Sequence, residues 1–402
     1  MHKTPHPTVL IVVLGILNAL TPFTIDLYLP AFPQIAADLD VAVSRMSLSV
    51  SVYFIGFALG QIIYGPLLDR FGRQKPIYVG LAIYILATIG CMTTTSFEAL
   101  LIFRFVSALG GSAASVGATT LVRDHFPPER AARAFATLLL VLSASPLLAP
   151  TIGSFMTVHL GWRALFAALM VLALIDVALV ALAIPRTYKA DPSVSLRLSP
   201  MLRIFREALA QPQFRTYTLT GSLSFAGLFV FVSGSPAAFM DGFGVSPQGF
   251  GGIFAILAGG MISGGQLNHV LLRLTDSRTV FKRALNIQVV SGATFLACSL
   301  AFTLTLWQTV VLLLVFLVCA GITYPNAAAL ALQPFTKNVG SAAALLGFIQ
   351  LGIGALAAAF LGLLDVEGTL PMAVVMAACS AVGWCVLHST RNIATATEGA
   401  SS

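Results

Sequence analysis

Charge is what this sequence has least of. Of its 402 residues only 9% are Asp, Glu, Lys or Arg, 57% are hydrophobic, and the mean hydropathy is +0.92. A soluble chain carries roughly a quarter charged residues, so this one cannot cover a water-facing surface and must face lipid. Cysteine is scarce: Cys91, Cys298, Cys319, Cys379 and Cys385 form no CxxC pair and no Cys/His ligand spacing. Neither a disulfide framework nor a metal site is indicated, and all five read as small packing residues in apolar runs. No HExxH, GxSxG, clustered histidine or intramembrane Ser/Lys/His set points to a membrane enzyme, and no Walker A loop makes ATP the energy source. Alternating ten-residue strands of a barrel are absent as well.

What the chain has instead is long apolar runs. Twelve approach the length needed to cross a bilayer, about 20 residues: 9–30, 47–66, 77–95, 98–122, 134–158, 163–184, 216–239, 247–269, 282–305, 307–332, 339–363 and 369–389. Backbone groups in lipid must bond internally, so these runs are expected as helices. The first follows Lys3 closely, but it is longer than the apolar core of a signal peptide and eleven more follow; it reads as a retained helix.

The 22 basic residues sort sharply among the loops. The N-terminus, the even-to-odd loops and the C-terminal end hold 19 of them, the odd-to-even loops only Arg45 and Arg163, and Arg104 alone lies inside a span. This asymmetry predicts cytoplasmic termini. It also accounts for the formal charge of +7 without nucleic acid as a partner.

Six spans precede and six follow a hydrophilic stretch at 185–215 that carries Pro185, Pro192, Pro200 and Pro212. Such a duplicated layout predicts two six-helix bundles, 1–184 and 216–390, with a substrate site expected between them. In the linker, Leu198, Met201, Leu202, Phe205 and Leu209 share one helical face and Arg203, Arg206 and Glu207 the other. The pattern suits a helix on the membrane surface, with a plain tether as the alternative. Residues 391–402 read as a disordered tail.

Between spans two and three stands GPLLDRFGRQKP, residues 65–76, one acid and three bases around a glycine-closed turn. Such a turn is suited to bridging helix ends. Its spacing resembles the loop signature of the major facilitator superfamily, whose fold is twelve helices in two six-helix bundles. There the loop is a gating clasp, which implies that role for Gly65, Asp69, Arg70, Gly72 and Arg73, with Asp124 in LVRDHF as a partner. The equivalent loop of the second half, NHVLLRLTDSRTVFKR, keeps basic charge but lacks the glycines.

Span four, LLIFRFVSALGGSAASVGA, carries Arg104 ahead of Gly110, Gly111 and Gly117. A lone cation in lipid costs about 3 kcal/mol or more at a helix centre, so Arg104 is expected to face inward and seek an anion; the alternative is snorkelling outward. The pattern resembles the superfamily's second motif. Span five, SASPLLAPTIGSF, resembles its antiporter motif through Pro146, Pro150 and Gly153, with Ala149 and Ser154 where that pattern usually has glycine. TIDLYLPAFP in span one and SGSPAAFMDGFGVSPQGFG at 233–251 resemble the Bcr/CflA group of drug:proton antiporters, related to bicyclomycin and chloramphenicol exporters. Some relatives carry an additional acid eight residues before the aspartate of span one; here that position is Asn18.

Asp26 is a carboxylate inside a span. Counting residues puts it at a depth that Arg104 shares. Burial favours a neutral carboxyl and a neighbouring guanidinium a charged one, so the pair is expected to take up and release a proton; the alternative is a carboxylate bonded to backbone freed by Pro22 or Pro30. Asp176 in span six is a second intramembrane acid, expected to be neutral, paired with another helix, or at a contact between protomers. A largely apolar pocket with a few polar groups is drawn from Asn18, Tyr53, Phe225, Phe229, Phe231, Tyr324, Asn326 and Gln350.

The sequence therefore reads as a secondary active transporter of the bacterial inner membrane, not an enzyme. It is expected to act as a monomer without cofactor or metal and to export amphipathic drugs against protons. An uptake symporter or metabolite exporter of the same fold is the alternative. A channel is disfavoured by the duplicated halves and the absence of charge rings.

Overall fold

Runs this apolar have nothing outside themselves to bond their backbone groups, and the computed structural model is helical along them. It describes residues 7–126, 128–184, 190, 198–335, 339–364, 366 and 368–399, with side chains at all of these except 7–8, 128–137, 139–143, 198–202, 204 and 390–399. The helices are α1 (Pro7–Asp26), α2 (Phe32–Asp38), α3 (Ser47–Phe71), α4 (Gln74–Thr93), α5 (Phe97–His125), α6 (Pro128–Leu160) and α7 (Trp162–Ala183). They continue as α8 (Leu198–Ala210), α9 (Pro212–Pro236), α10 (Pro247–Leu271), α11 (Ser277–Ala301), α12 (Leu306–Leu332), α13 (Val339–Leu363) and α14 (Leu370–Gly399). Eleven stretches are long and apolar enough to cross a membrane; the twelfth expected span falls in the 33-residue α6, whose first half lies largely outside the described side chains.

The chain divides into two units, Met1–Leu196 with Ser246–Ala255, and Arg197–Val245 with Ile256–Ser402. In the first, α5 lies between α3 and α4, while α1 packs on α5, α6 and α7. Gly110 makes the α4–α5 contact possible, because a Cβ there would meet the Gly80 carbonyl at 2.5 Å. In the second, α9 is surrounded by α12, α13 and α14.

Span one differs from the single helix expected. It stops at Asp26, passes through a 3₁₀ turn at Leu29–Ala31 and resumes as α2. Pro30 has no N–H to continue the ladder, which breaks the helix beside the carboxylate. At its far end α2 is pinned to α7. The Trp162 amide donates to Gln34 Oε1 at 3.0 Å, and Asp38 Oδ2 accepts from Trp162 Nε1 at 2.7 Å and Arg163 Nη1 at 3.0 Å.

The linker stretch 198–210 is helical. Phe205 and Ala208 are buried where α8 packs on α9 and α13, and Arg203 and Arg206 are exposed. The side chains of Leu198, Met201 and Leu202, and most of 185–197, lie outside the described residues. Of the stretch expected as a tail, residues 391–399 belong to α14, which runs to Gly399.

Candidate functional site

The break in α1 builds the site. Ending the helix leaves carbonyls without intrahelical partners, and Arg104 on α5 supplies one: its Nη1 donates to the Thr24 carbonyl at 3.1 Å. A cation at a helix C-terminus is favoured by the helix dipole. The guanidinium, fully buried, is flanked by the rings of Tyr28 at 4.2 Å and Tyr53 at 4.4 Å. Aromatic faces attract a planar cation that has been stripped of water. Its Nε and Nη2, like the Tyr53 hydroxyl and Thr21 Oγ1, are buried without a hydrogen-bond partner. Thr24 Oγ1 shares a hydrogen bond with the Tyr84 hydroxyl at 2.7 Å, and the Tyr28 hydroxyl one with Ser49 Oγ at 2.5 Å.

Arg104 thus faces inward, as its isolation in a span requires, but the expected anion is not its partner. No ion pair within 4.0 Å joins it to Asp26. Asp26, only 5% exposed, instead accepts a long 3.5 Å hydrogen bond from Ser145 Oγ on α6. Residue counting places both groups at one depth; the break turns the Asp26 side chain toward α6 while the Thr24 carbonyl takes the guanidinium.

The residues of α6 that resemble the antiporter motif lie on the other side. Pro146 and Pro150 lie in the same helix as Ser145, and Gly153 lets the backbone of Leu27 approach so closely that a Cβ would fall 1.9 Å from its carbonyl oxygen. Asp26 therefore sits on the stretch of span one pressed directly against α6.

The clasp is assembled around Arg73. Gly72, at φ 81°, takes a left-handed conformation that closes α3 and starts α4. Arg73 then reaches Asp69 Oδ1 with Nη1 at 2.6 Å and Asp124 with Nε at 2.6 Å and Nη2 at 3.2 Å. Arg70 lies over the Phe71 ring at 5.8 Å, and a Cβ on Gly65 would meet nothing within 4 Å.

The expected pocket residues separate. Asn18, in the first unit, accepts from Ser115 Oγ at 2.9 Å. In the second unit, Phe231 is buried and Phe229 fills the space left by Gly354, whose Cβ would lie 2.3 Å from that ring. Asn326 is also a structural tie: its Nδ2 donates to Asn268 Oδ1 at 2.6 Å and its Oδ1 accepts from Ser277 Oγ at 2.6 Å. Its place near the end of α12 puts it against the α10–α11 turn rather than at mid-span. Tyr324 and Gln350 do line a common cavity, and Phe225 stacks on Tyr324. Gln288, which lies in no motif, is fully buried and its Oε1 accepts from Ser224 Oγ at 2.5 Å.

Asp176 is fully buried in α7, the helix that packs on α4, α1 and α6, and neither carboxylate oxygen has a hydrogen-bond partner.

Comparison with known proteins agrees with this architecture. The "Bicyclomycin resistance protein homolog" of Haemophilus influenzae is 30% identical over 379 residues, 94% of this chain and 95% of that protein. The "Multidrug resistance protein MdtL" of Escherichia coli is 28% identical over 334 residues, 83% of each chain. Among solved structures, a D-xylose-proton symporter superposes with a TM-score of 0.71 at 13% identity, covering 95% of this chain and 97% of that one. A bacterial homologue of the human lysosomal transporter Spinster, inward-facing and unoccupied, gives 0.66 at 18% identity, covering 95% and 94%. At such identities the structures speak for the fold alone. With transporters on every side, this chain is a multi-pass bacterial membrane protein and a secondary transporter, not an enzyme. Residues 14–359 match the profile of the Major Facilitator Superfamily, and to that family the chain belongs.

Proposed function

We propose that this chain exports small amphipathic molecules, drugs among them, across the bacterial inner membrane in exchange for protons. The observation that supports it is Asp26, a buried carboxyl group with one long hydroxyl contact, at the point where α1 breaks and meets the antiporter-type helix. A buried carboxyl without a cation is cheaper to hold neutral than charged. In this arrangement Asp26 carries the proton and Arg104 is held by Thr24 and two tyrosines. Loss of the proton gives the carboxylate reason to seek the guanidinium, whose Nε and Nη2 have no other hydrogen-bond partner.

In this reading proton occupancy and cargo alternate as access switches between the two sides. Moving one charge through 100 mV is worth about 2.3 kcal/mol, enough for a roughly fifty-fold concentration bias. In this reading both termini face the cytoplasm, the protein acts as a monomer, and protons are the coupling ion. The names of its curated relatives, with bicyclomycin and multidrug resistance in them, support drugs as cargo.

Transport of a fluorescent drug in everted membrane vesicles tests this. Accumulation that collapses on adding a protonophore supports proton-driven export. Uptake in right-side-out vesicles that a proton gradient drives inward would favour a symporter instead.

A further inference from the structure

On α11 of the second unit, Arg283, Asn286, Ile287 and Val290 are exposed at spacings of three and four residues, so they share one helical face. In a chain that spans a bilayer such a face meets lipid. Ile287 and Val290 suit hydrocarbon, whereas an amide placed against it is costly unless its polar atoms find partners. Half of Asn286 is satisfied: its Oδ1 accepts from Trp384 Nε1 of α14 at 2.9 Å. Its Nδ2 has no acceptor among the described residues. One turn on, the His388 ring stacks on Trp384 at 4.0 Å, and its Nδ1 donates to the Trp384 carbonyl at 2.9 Å. A carbonyl only accepts, so Nδ1 carries the hydrogen and Nε2 of the neutral ring is left as an acceptor.

These groups lie where the apolar stretches end. α11 carries no charged residue after Arg283, and α14 none from Leu370 to Ser389. The two helices pack together, and with α12 and α13 crossing between them in sequence they run antiparallel. At 1.5 Å per residue, Arg283 lies about 4.5 Å and His388 about 6 Å from the Asn286–Trp384 bond, toward the same membrane surface. In the orientation proposed above, that surface is cytoplasmic. Tryptophan is common at such a depth, but that preference does not account for the open amide and the arginine beside it.

The charge of this corner has one sign. No carboxylate lies within 4.0 Å of Arg283 among the described residues. α11 contains no Asp or Glu and α14 none before Glu398. Asp276, ahead of α11, is committed to the amide and hydroxyl of Thr279. A phosphate would find a guanidinium and an amide donor here, whereas the ammonium of an ethanolamine headgroup would find no counter-charge.

We propose that this corner of α11 and α14 seats one phosphatidylglycerol of the cytoplasmic leaflet. Arg283 and the Asn286 Nδ2 take its phosphate, His388 Nε2 accepts from a hydroxyl of its glycerol headgroup, and one acyl chain lies along Ile287 and Val290. The orientation enters only in naming the leaflet, and the export reading does not enter.

Native mass spectrometry of the full chain tests it, with phosphatidylglycerol and phosphatidylethanolamine of matched acyl chains added to the detergent. The wild-type chain should retain one phosphatidylglycerol in preference to phosphatidylethanolamine. Arg283→Gln changes an exposed side chain, so this variant should fold, and it should weaken that binding about fivefold. Asn286→Leu should weaken it by a similar factor. Arg278→Gln removes another exposed arginine of α11, on a different face, and should leave binding unchanged. Equal retention of the two lipids by the wild-type chain, equal losses in Arg278→Gln and Arg283→Gln, or unchanged binding in both Arg283→Gln and Asn286→Leu would each overturn the site. A dimer that Trp384→Ala dissolves would overturn it as well, by making this face a contact between two copies of the chain.

Discussion

Arg73 holds Asp124 with two nitrogens of one guanidinium, while its third nitrogen reaches Asp69. Burial works against the charge, but the two carboxylates outweigh it and hold the guanidinium pKa above its ordinary value. This fork joins the α3–α4 turn to the end of α5. A lysine at 73 offers a point charge and no fork. Arg73→Lys is therefore expected to slow efflux about tenfold, the loss of about 1.4 kcal/mol of charge-assisted bonding. Asp69→Asn should do less, because Asp69 is half exposed and solvent screens its pair. Initial rates in vesicles decide it, and a larger loss at Asp69 would contradict this ordering.

Gly153 and Gly65 should behave oppositely. Gly153→Ala puts a methyl 1.9 Å from the Leu27 carbonyl oxygen and must push span one off α6. A marked drop in melting temperature and loss of transport are expected. Gly65→Ala meets nothing and replaces glycine inside a helix, worth about 1 kcal/mol of helix propensity. Its melting temperature should hold or rise. Transport lost in a stable Gly65→Ala protein would mean that the glycine is needed in a second conformation.

Asp26→Asn keeps the shape and the Ser145 contact while fixing the group neutral. Folding should be unaffected, and efflux should lose its response to a pH gradient. Ser145→Ala removes one long contact and should only shift the pH profile modestly. Coupled efflux at the wild-type rate in Asp26→Asn would remove Asp26 from the mechanism.

Asp176→Leu should stabilise the protein. Both oxygens of Asp176 are buried without partners among apolar neighbours of α1 and α4, and an unsatisfied buried polar group costs about 1–3 kcal/mol. A melting temperature higher by a few degrees with proton dependence intact is the expected result. Loss of coupling in this variant would make Asp176 a second proton carrier.

Legibility in the sequence followed the size of each group's solvation penalty. Arg104 and Asp26 stand out because a charge in an apolar run is expensive, and the clasp because its spacing is distinctive. Partnership was harder to read. Asp26 and Arg104 match in depth by residue number, but the Pro30 break changes which way the carboxylate turns, and hydropathy contains no such angle. Asn326 is similar: residue counting does not reveal that it bonds Asn268 and Ser277 near the end of α12. Gln288 stands in no recognisable motif, and a neutral side chain does not demand a counter-charge as Asp26 and Arg104 do. Its role depends on whether a partner lies opposite.

The two halves carry different ties at corresponding turns: Arg73 with two carboxylates in one, and Asn268, Asn326 and Ser277 in the other. Dissolved ions weaken attraction between charges over a Debye length of about 8 Å at physiological ionic strength, whereas amide–hydroxyl bonds carry no net charge to screen. Raising potassium chloride should loosen the half-exposed Asp69 arm of the first tie, weaken its partly buried Asp124 arm much less, and spare the second tie. Osmotic stress, which concentrates cytoplasmic salt, would then act unequally on the two bundles of one polypeptide.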